Sequence, residues 1–139
     1  MIPIAKTHLI IYVKEQVHST AFYSHTLNCE PSLNVPGMTE FALSETCVLG
    51  LMPEMGIKTL LGNRLPNPAR AAGIPRAELY LYVPNPQDYH RRALEAGATE
   101  LSVLADRNSG DHVAYSLDPD GHVLAFAESI FKNEDEEKK

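Results

Sequence analysis

Leu117-Asp118-Pro119-Asp120-Gly121-His122 is the stretch that decides how this chain folds. It separates two runs of strand length, residues 111–116 and 123–127, both rich in Val, Ala, Leu and aromatic side chains. Proline has no amide hydrogen to give to a sheet, and Asp-Gly accepts the positive φ of a tight reversal. The segment reads as strand, turn, strand, with the last strand closing the folded part of the chain.

Upstream, residues 77–83 (Ala-Glu-Leu-Tyr-Leu-Tyr-Val) form another strand, in which Glu78, Tyr80 and Tyr82 share one face and Leu79, Leu81 and Val83 the other. Asn85-Pro86 is a cap and first-turn pair for a helix striped by Tyr89, Ala93 and Ala96 and ended by Gly97. Residues 99–103 read as a strand and 106–110 as a turn or bulge, so this half runs β-α-β-β-β. The first half has the same order. Residues 7–13 are a strand with His8, Ile10 and Tyr12 on one face and Leu9, Ile11 and Val13 on the other. From about residue 15 to 27 the pairs Val17 with Ala21 and Tyr23 with Leu27, widened by Phe22, predict an amphipathic helix stopped by Asn28. A short strand at 31–35, a Pro36-Gly37 turn and a hairpin of 39–43 with 47–52 complete it. His8 with Glu78, Asn28 with Gly97 and Gly50 with Ala125 recur at a near-constant offset of about 70–75 residues, the mark of an internal repeat.

Residues 53–76 join the halves and carry four prolines. A helical turn is expected at 58–61 and irregular chain at 66–72. A spacer has no need of Met55, Ile57, Leu60, Leu61 and Leu65, so the connector is expected to fold as a lid across a pocket mouth. Residues 130–139 end in mixed charges and read as a frayed tail.

A chain of 139 residues predicts one domain able to bury its own core. It splits into a first module at 5–52, the connector or lid at 53–76, a second module at 77–129 and the charged tail. No apolar run approaches the roughly 18 residues of a membrane span, and the start lacks the layout of a secretion signal, so the expected setting is cytoplasmic. Cys29 and Cys47 make no disulfide framework and no zinc-binding spacing; each is expected to be a small buried or half-buried side chain. A net charge of −6 without a basic patch argues against nucleic acid as a partner.

The repeated βαβββ order, the closing Asp-Pro-Asp-Gly hairpin and the helix pattern Val13-Lys14, Ser19, Phe22-Tyr23, Leu27-Asn28 resemble the vicinal oxygen chelate superfamily. That group takes in glyoxalase I, bleomycin- and fosfomycin-resistance proteins and extradiol dioxygenases. The resemblance implies an α+β fold of two βαβββ modules forming an eight-stranded cupped mixed sheet, with helices on the convex side, and a homodimer. It also implies that metal ligands, where relatives have them, come from the positions of His8, Gly50, Glu78 and Ala125. Gly50 and Ala125 stand where such relatives carry Glu, and neither has a donor atom. No metal and no other cofactor is therefore expected.

His8 and Glu78 are the candidate catalytic or ligand-gripping pair, Glu78 as proton acceptor and His8 as donor or orienter. Tyr12, Tyr80 and Tyr82 offer apolar area with a hydroxyl to a small-molecule ligand, Met52 an adaptable lining, and Gly50 and Ala125 room at the floor. His18, His25 and His90 are expected in solvent on helices, and His122 in the turn. The preferred function is metal-independent binding of a small organic molecule in the concave pocket. The alternatives are a metal-dependent glyoxalase-type lyase or isomerase (lactoylglutathione lyase-like), a metal-free proton-transfer enzyme using Glu78, and sequestration of a cationic antibiotic. No membrane partner is expected.

Overall fold

The computed structural model describes residues 3–131. Its elements run β1 (Thr7–Val13), α1 (Gln16–Leu27), β2 (Leu33–Val35), β3 (Met38–Ala42), β4 (Cys47–Pro53), α2 (Glu54–Leu61), β5 (Glu78–Tyr82), α3 (Pro86–Glu95), β6 (Thr99–Asp106), β7 (Asp111–Leu117) and β8 (Val123–Ser129). Two short 3₁₀ turns, Gly62–Arg64 and Pro68–Ala71, lie between α2 and β5. The eight strands form two hydrogen-bonded sheets of four, ordered β1-β4-β3-β2 and β5-β8-β7-β6. In each, the first and last strands of the module pair in parallel and the remaining neighbours are antiparallel. This is the α+β architecture of two βαβββ modules. The chain divides into two compact units between Ile74 and Pro75.

In the first unit α1 covers the face of β4 and β3 that carries Leu49, Leu51 and Phe41, all fully buried. Tyr23 and Phe41 have ring centroids 6.4 Å apart. The buried side of the helix is Ser19, Phe22, Tyr23 and Thr26, whereas Val17 is 85 % exposed and Ala21 is exposed. The expected Val17–Ala21 stripe is therefore wrong, and polar groups explain why. Gln16 Nε2 donates to Val35 O (2.8 Å) and Thr39 Oγ1 (2.9 Å), and Thr20 Oγ1 lies 2.8 Å from Thr39 Oγ1. These bonds dock the N-terminal half of the helix and set its rotation, against what hydropathy alone would choose. Asn28 ends the helix in the left-handed conformation as expected, at φ 55°, ψ 46°.

The connector is more regular than expected. Its helix α2 spans Glu54–Leu61, packs on β4 and β1, and buries Glu54 and Ile57. Met55, Leu60 and Leu61 stay exposed, so most of the apolar residues that suggested a lid lie on the outer side of a short helix. Lys58 Nζ donates to Gly62 O (2.9 Å) and Leu65 O (2.5 Å), which ties the following turn back to α2.

In the second unit α3 packs through Pro86, His90 and Ala93, with Tyr89 against Phe126 at 5.5 Å. His90, expected in solvent, is only 4 % exposed; its Nε2 sits 2.9 Å from Glu100 Oε2 on β6. That pairing gives one nitrogen of the buried imidazole a partner, while Nδ1 has none. The strand β6 bulges between Glu100 and Ser102 and again before Ala105, which carries it to Asp106. Cys29 is exposed, not buried, and Cys47 is half-buried; both thiols are free. Ile130 N donates to Gly110 O at 2.8 Å, so the first tail residue is anchored, and residues 132–139 lie outside the described residues. Among the described residues no helix is long and apolar enough to cross a membrane.

The closing turn is buried rather than solvated. Asp118 Oδ1 accepts the backbone N–H groups of Asp120 (2.9 Å) and His122 (2.8 Å), and Gly121 takes the positive φ of 89°. Arg76 donates to Asp120 O at 3.1 Å and lies 3.3 Å from His122 Nε2, clasping the turn to the chain that enters β5. Asp118→Ala is expected to cost about 2–4 kcal/mol, since two buried amides lose a charged acceptor. Denaturant unfolding checks this, and the midpoint should fall at constant m value.

Candidate functional site

Each sheet carries a helix, α1 or α3, on one face; the expected site residues are on the other. In the first unit, register sets His8, Ile10 and Tyr12 of β1 beside Val48, Gly50 and Met52 of β4. Gly50 is in turn opposite Glu40 of β3. A Cβ on Gly50 would stand 3.1 Å from Ile10 Cγ1 and 3.2 Å from Met38 Sδ. Side chains from the two flanking strands thus close over the glycine. His8 Nδ1 lies 3.5 Å from Glu40 Oε2, both side chains partly exposed. Glu40 was missed by the sequence reading. The signal existed, because alternation through the 39–43 strand puts Glu40 on the face of Gly50. Tyr12 and Met52 are neighbours and half-buried.

A cavity of about 440 Å³ in this unit is lined by Gln16, Val17, Thr20, Asn34, Val35 and Pro36. Its polar side chains already serve the fold. Gln16 bonds Val35, Thr39 and Gly37, while Thr20 and Asn34 bond Thr39. This leaves little there to orient a ligand.

The second unit is chemically different. Register aligns Tyr80, Ala125 and Tyr115 across β5, β8 and β7, and Tyr82, Ala127 and Val113 beside them. Ala125, Ala127 and Val113 are fully buried, with Tyr80 and Tyr115 packed on them. The tyrosines of β5 lie over the alanines of β8 and reach Asp111 on β7. Tyr80 Oη donates to Asp111 Oδ2 at 2.6 Å and Tyr82 Oη donates to the same oxygen at 2.7 Å. Their rings meet edge to face at 5.4 Å. Asp111 is 7 % exposed and Tyr82 is 66 % exposed. Beside Tyr82 opens a cavity of about 460 Å³ lined by Val83, Pro84, Ala127, Glu128 and Ser129. Ser129 is the ladder partner of Asp111.

These contacts fix the charge. The Tyr80 and Tyr82 hydroxyls hold the Asp111 carboxyl below the usual carboxylate range, so it is ionised at neutral pH. Burial, then the bond to Asp111, pushes Tyr80 well above the ordinary phenol value. Tyr82 rises too, chiefly through its bond to Asp111. Asp111 was not among the expected site residues. In the sequence it is the first residue of the hairpin strand and reads as its boundary.

Glu78 is exposed at the first position of β5, where its ladder partner is Val123. Tyr80 and Tyr82 of the same strand face bond Asp111. His8 is in the first unit and Glu78 in the second. The donor set does not fit the metal that the resemblance implies for relatives. The space above Gly50 is taken by Ile10 and Met38, and Ala125 is fully buried beneath Tyr80 and Tyr115. Among the described residues no three His, Cys, Asp or Glu side chains gather as a metal site would require.

No protein-family model matches the chain, and no curated protein does. Solved structures do match. A glyoxalase-related enzyme from Fulvimarina pelagi superposes with a TM-score of 0.73 at 18 % identity, over 88 % of this chain and 86 % of that one. A glyoxalase/bleomycin resistance protein/dioxygenase from Nocardioides gives 0.73 at 18 % identity, over 96 % and 87 %. A protein from Agrobacterium tumefaciens, solved by NMR in solution, gives 0.68 at 24 % identity, over 88 % and 94 %.

The chain has six tyrosines. Followed by absorbance, two of them should resist ionisation beyond the usual pH of about 10. Asp111→Asn should return Tyr82 towards that value and Tyr80 only part of the way, because burial dominates for Tyr80. Ala125→Leu should lift Tyr80 off Asp111 and cost about 1–3 kcal/mol by overpacking. Tyrosines that all titrate together in the wild type would contradict the geometry.

Proposed function

We propose that this chain, which has the vicinal oxygen chelate fold, binds a small organic molecule without a metal. One observation carries the reading. The face of the second unit joins exposed aromatic surface to a cavity of about 460 Å³, above a central strand that offers alanines where a metal would need donors. A cavity of that size suits a ligand of drug-like dimensions, and tyrosine supplies contact area at low entropic cost. Binding through apolar area and hydrogen bonds needs no Lewis acid. The first unit carries its own half-exposed pair, His8 and Glu40.

The same reading sets the protein in the cytoplasm as a homodimer. Support comes from the free thiols of Cys29 and Cys47 and from Leu101 and Val103, which are exposed along the edge strand β6. Sedimentation analysis tests the dimer.

Ligand-observed NMR with a set of aromatic fragments tests the binding. Fragments should bind equally well with and without EDTA. Elemental analysis of untagged protein should find well below one equivalent of divalent metal. One tightly held equivalent, lost in His8→Ala and required for fragment binding, would overturn the proposal and favour a metal-dependent lyase or isomerase.

A further inference from the structure

We infer that Asp111, Tyr80 and Tyr82 form the binding site for an organic ammonium group, an assignment that rests on the small-molecule reading above and names its ligand class. Each phenol has one hydrogen to donate, and both are given to Asp111 Oδ2. What those two bonds leave unused is the other carboxylate oxygen and the lone pairs of two phenolic oxygens, all acceptors, and Tyr82 is the member of the trio that lines the cavity. A site of acceptors alone selects a ligand that brings only donors, which an alkylammonium does.

Charge points the same way. Asp111 is nearly buried, and among the described residues no ion pair reaches it. The basic side chains of the same hairpin bond other groups, although His112 still acts on the Asp111 charge. Arg107 donates to Ser102 Oγ at 2.6 Å and lies over the Tyr115 ring at 5.4 Å, and His112 Nδ1 sits 2.5 Å from Asp106 Oδ1. The two hydroxyls and, more weakly, the neighbouring His112 favour the charged carboxylate, and with no ion pair formed a cationic ligand supplies the close partner. The edge-to-face tyrosines present ring surface on which an ammonium is attracted by the quadrupole. Glu128 in the cavity wall adds a second acidic group beside the ligand's path. The exposed ring of Tyr82 and the cavity next to it give the organic part of the ligand somewhere to lie.

Two probes of the same shape test the assignment, benzylammonium chloride and benzyl alcohol, titrated at constant ionic strength and followed by amide shifts in ¹⁵N spectra. Benzylammonium should move the amides of Tyr80, Tyr82, Asp111 and Ser129 and bind at least about tenfold tighter than the alcohol, the range of a charge-assisted hydrogen bond. Asp111→Asn should erase the preference. Tyr82→Phe keeps an exposed ring and removes one acceptor, so it should weaken benzylammonium several-fold with the fold intact; it decides the matter if Asp111→Asn does not fold. Equal affinity for both probes, or a preference that survives these variants, overturns the ammonium assignment and leaves the small-molecule reading standing. If neither probe moves any amide of β5, β7 or β8, the assignment falls, and the proposed use of this cavity falls with it.

Discussion

In each sheet a strand carrying a small residue lies between two strands whose long side chains meet above it, and the site chemistry depends on that arrangement. Adjacent strands are about 4.8 Å apart, so residues two strands apart are separated by roughly 10 Å. A tyrosine on β5 can touch an aspartate on β7 only if β8 puts nothing tall between them. Ala125 and Ala127 meet that requirement. Gly50 does the same in the first unit, where Ile10 and Met38 close over it and Glu40 comes within 3.5 Å of His8. The parallel pairing of first and last strands in each module fixes the register that places these residues in line. A one-residue slip would turn the alanines towards α3 and stand Leu124 and Phe126 under the tyrosines.

The two modules repeat the framework and not its contents. Equivalent rows read Ile10, Gly50, Glu40 in one sheet and Tyr80, Ala125, Tyr115 in the other. The first unit offers an aliphatic surface, with Ile10, Leu33 and Val35 exposed and a single His–Glu contact. The second offers a charged carboxylate within aromatic rings. A repeat can keep its backbone pairing while its faces diverge, because ladder hydrogen bonds are indifferent to the side chains above them. In the proposed role, selectivity for a ligand would rest on the half that carries the carboxylate.

Much of the framework was legible in the sequence because it depends on period and punctuation. The strand at 7–13 was found to the residue, Asn28 was identified as a left-handed stop, and the Asp-Pro-Asp-Gly hairpin was placed correctly. The helix faces were not, since hydrogen bonds override hydropathy: Thr39 turns α1 away from Val17, and Glu100 draws His90 inside. Among site residues, alternation put Tyr80 and Tyr82 on one face, and the repeat set Ala125 at the counterpart of Gly50. Neither could show that Ala125 serves as a low floor for the tyrosines, or that Asp111 is their target. That contact spans three strands, and which aspartate two tyrosines choose is decided by register between segments some thirty positions apart.

A purely structural origin for the Asp111 cluster would leave several features without purpose. Polar knots seldom add net stability over well-packed apolar residues, because desolvating the charge offsets most of the bonding. A knot retained for stability would gain most by burying both rings, yet Tyr82 is 66 % exposed. The backbone around it is hydrogen-bonded at both ends. Val123 N donates to Ala77 O, Val83 N to Ala127 O, and Arg107 N to Asp111 O, so β5 is laced to β8 beyond its own length and β7 is closed at its start. The Asp118 turn and Arg76 fasten the other end of the same three strands. Strands laced in this way beneath an exposed side-chain cluster suit the preorganised recognition proposed above, since the ordering cost is met during folding rather than on binding. In the proposed role the two features fit together: the laced hairpin would hold the acceptors in place, and the open Tyr82 would leave a ligand a way to reach them.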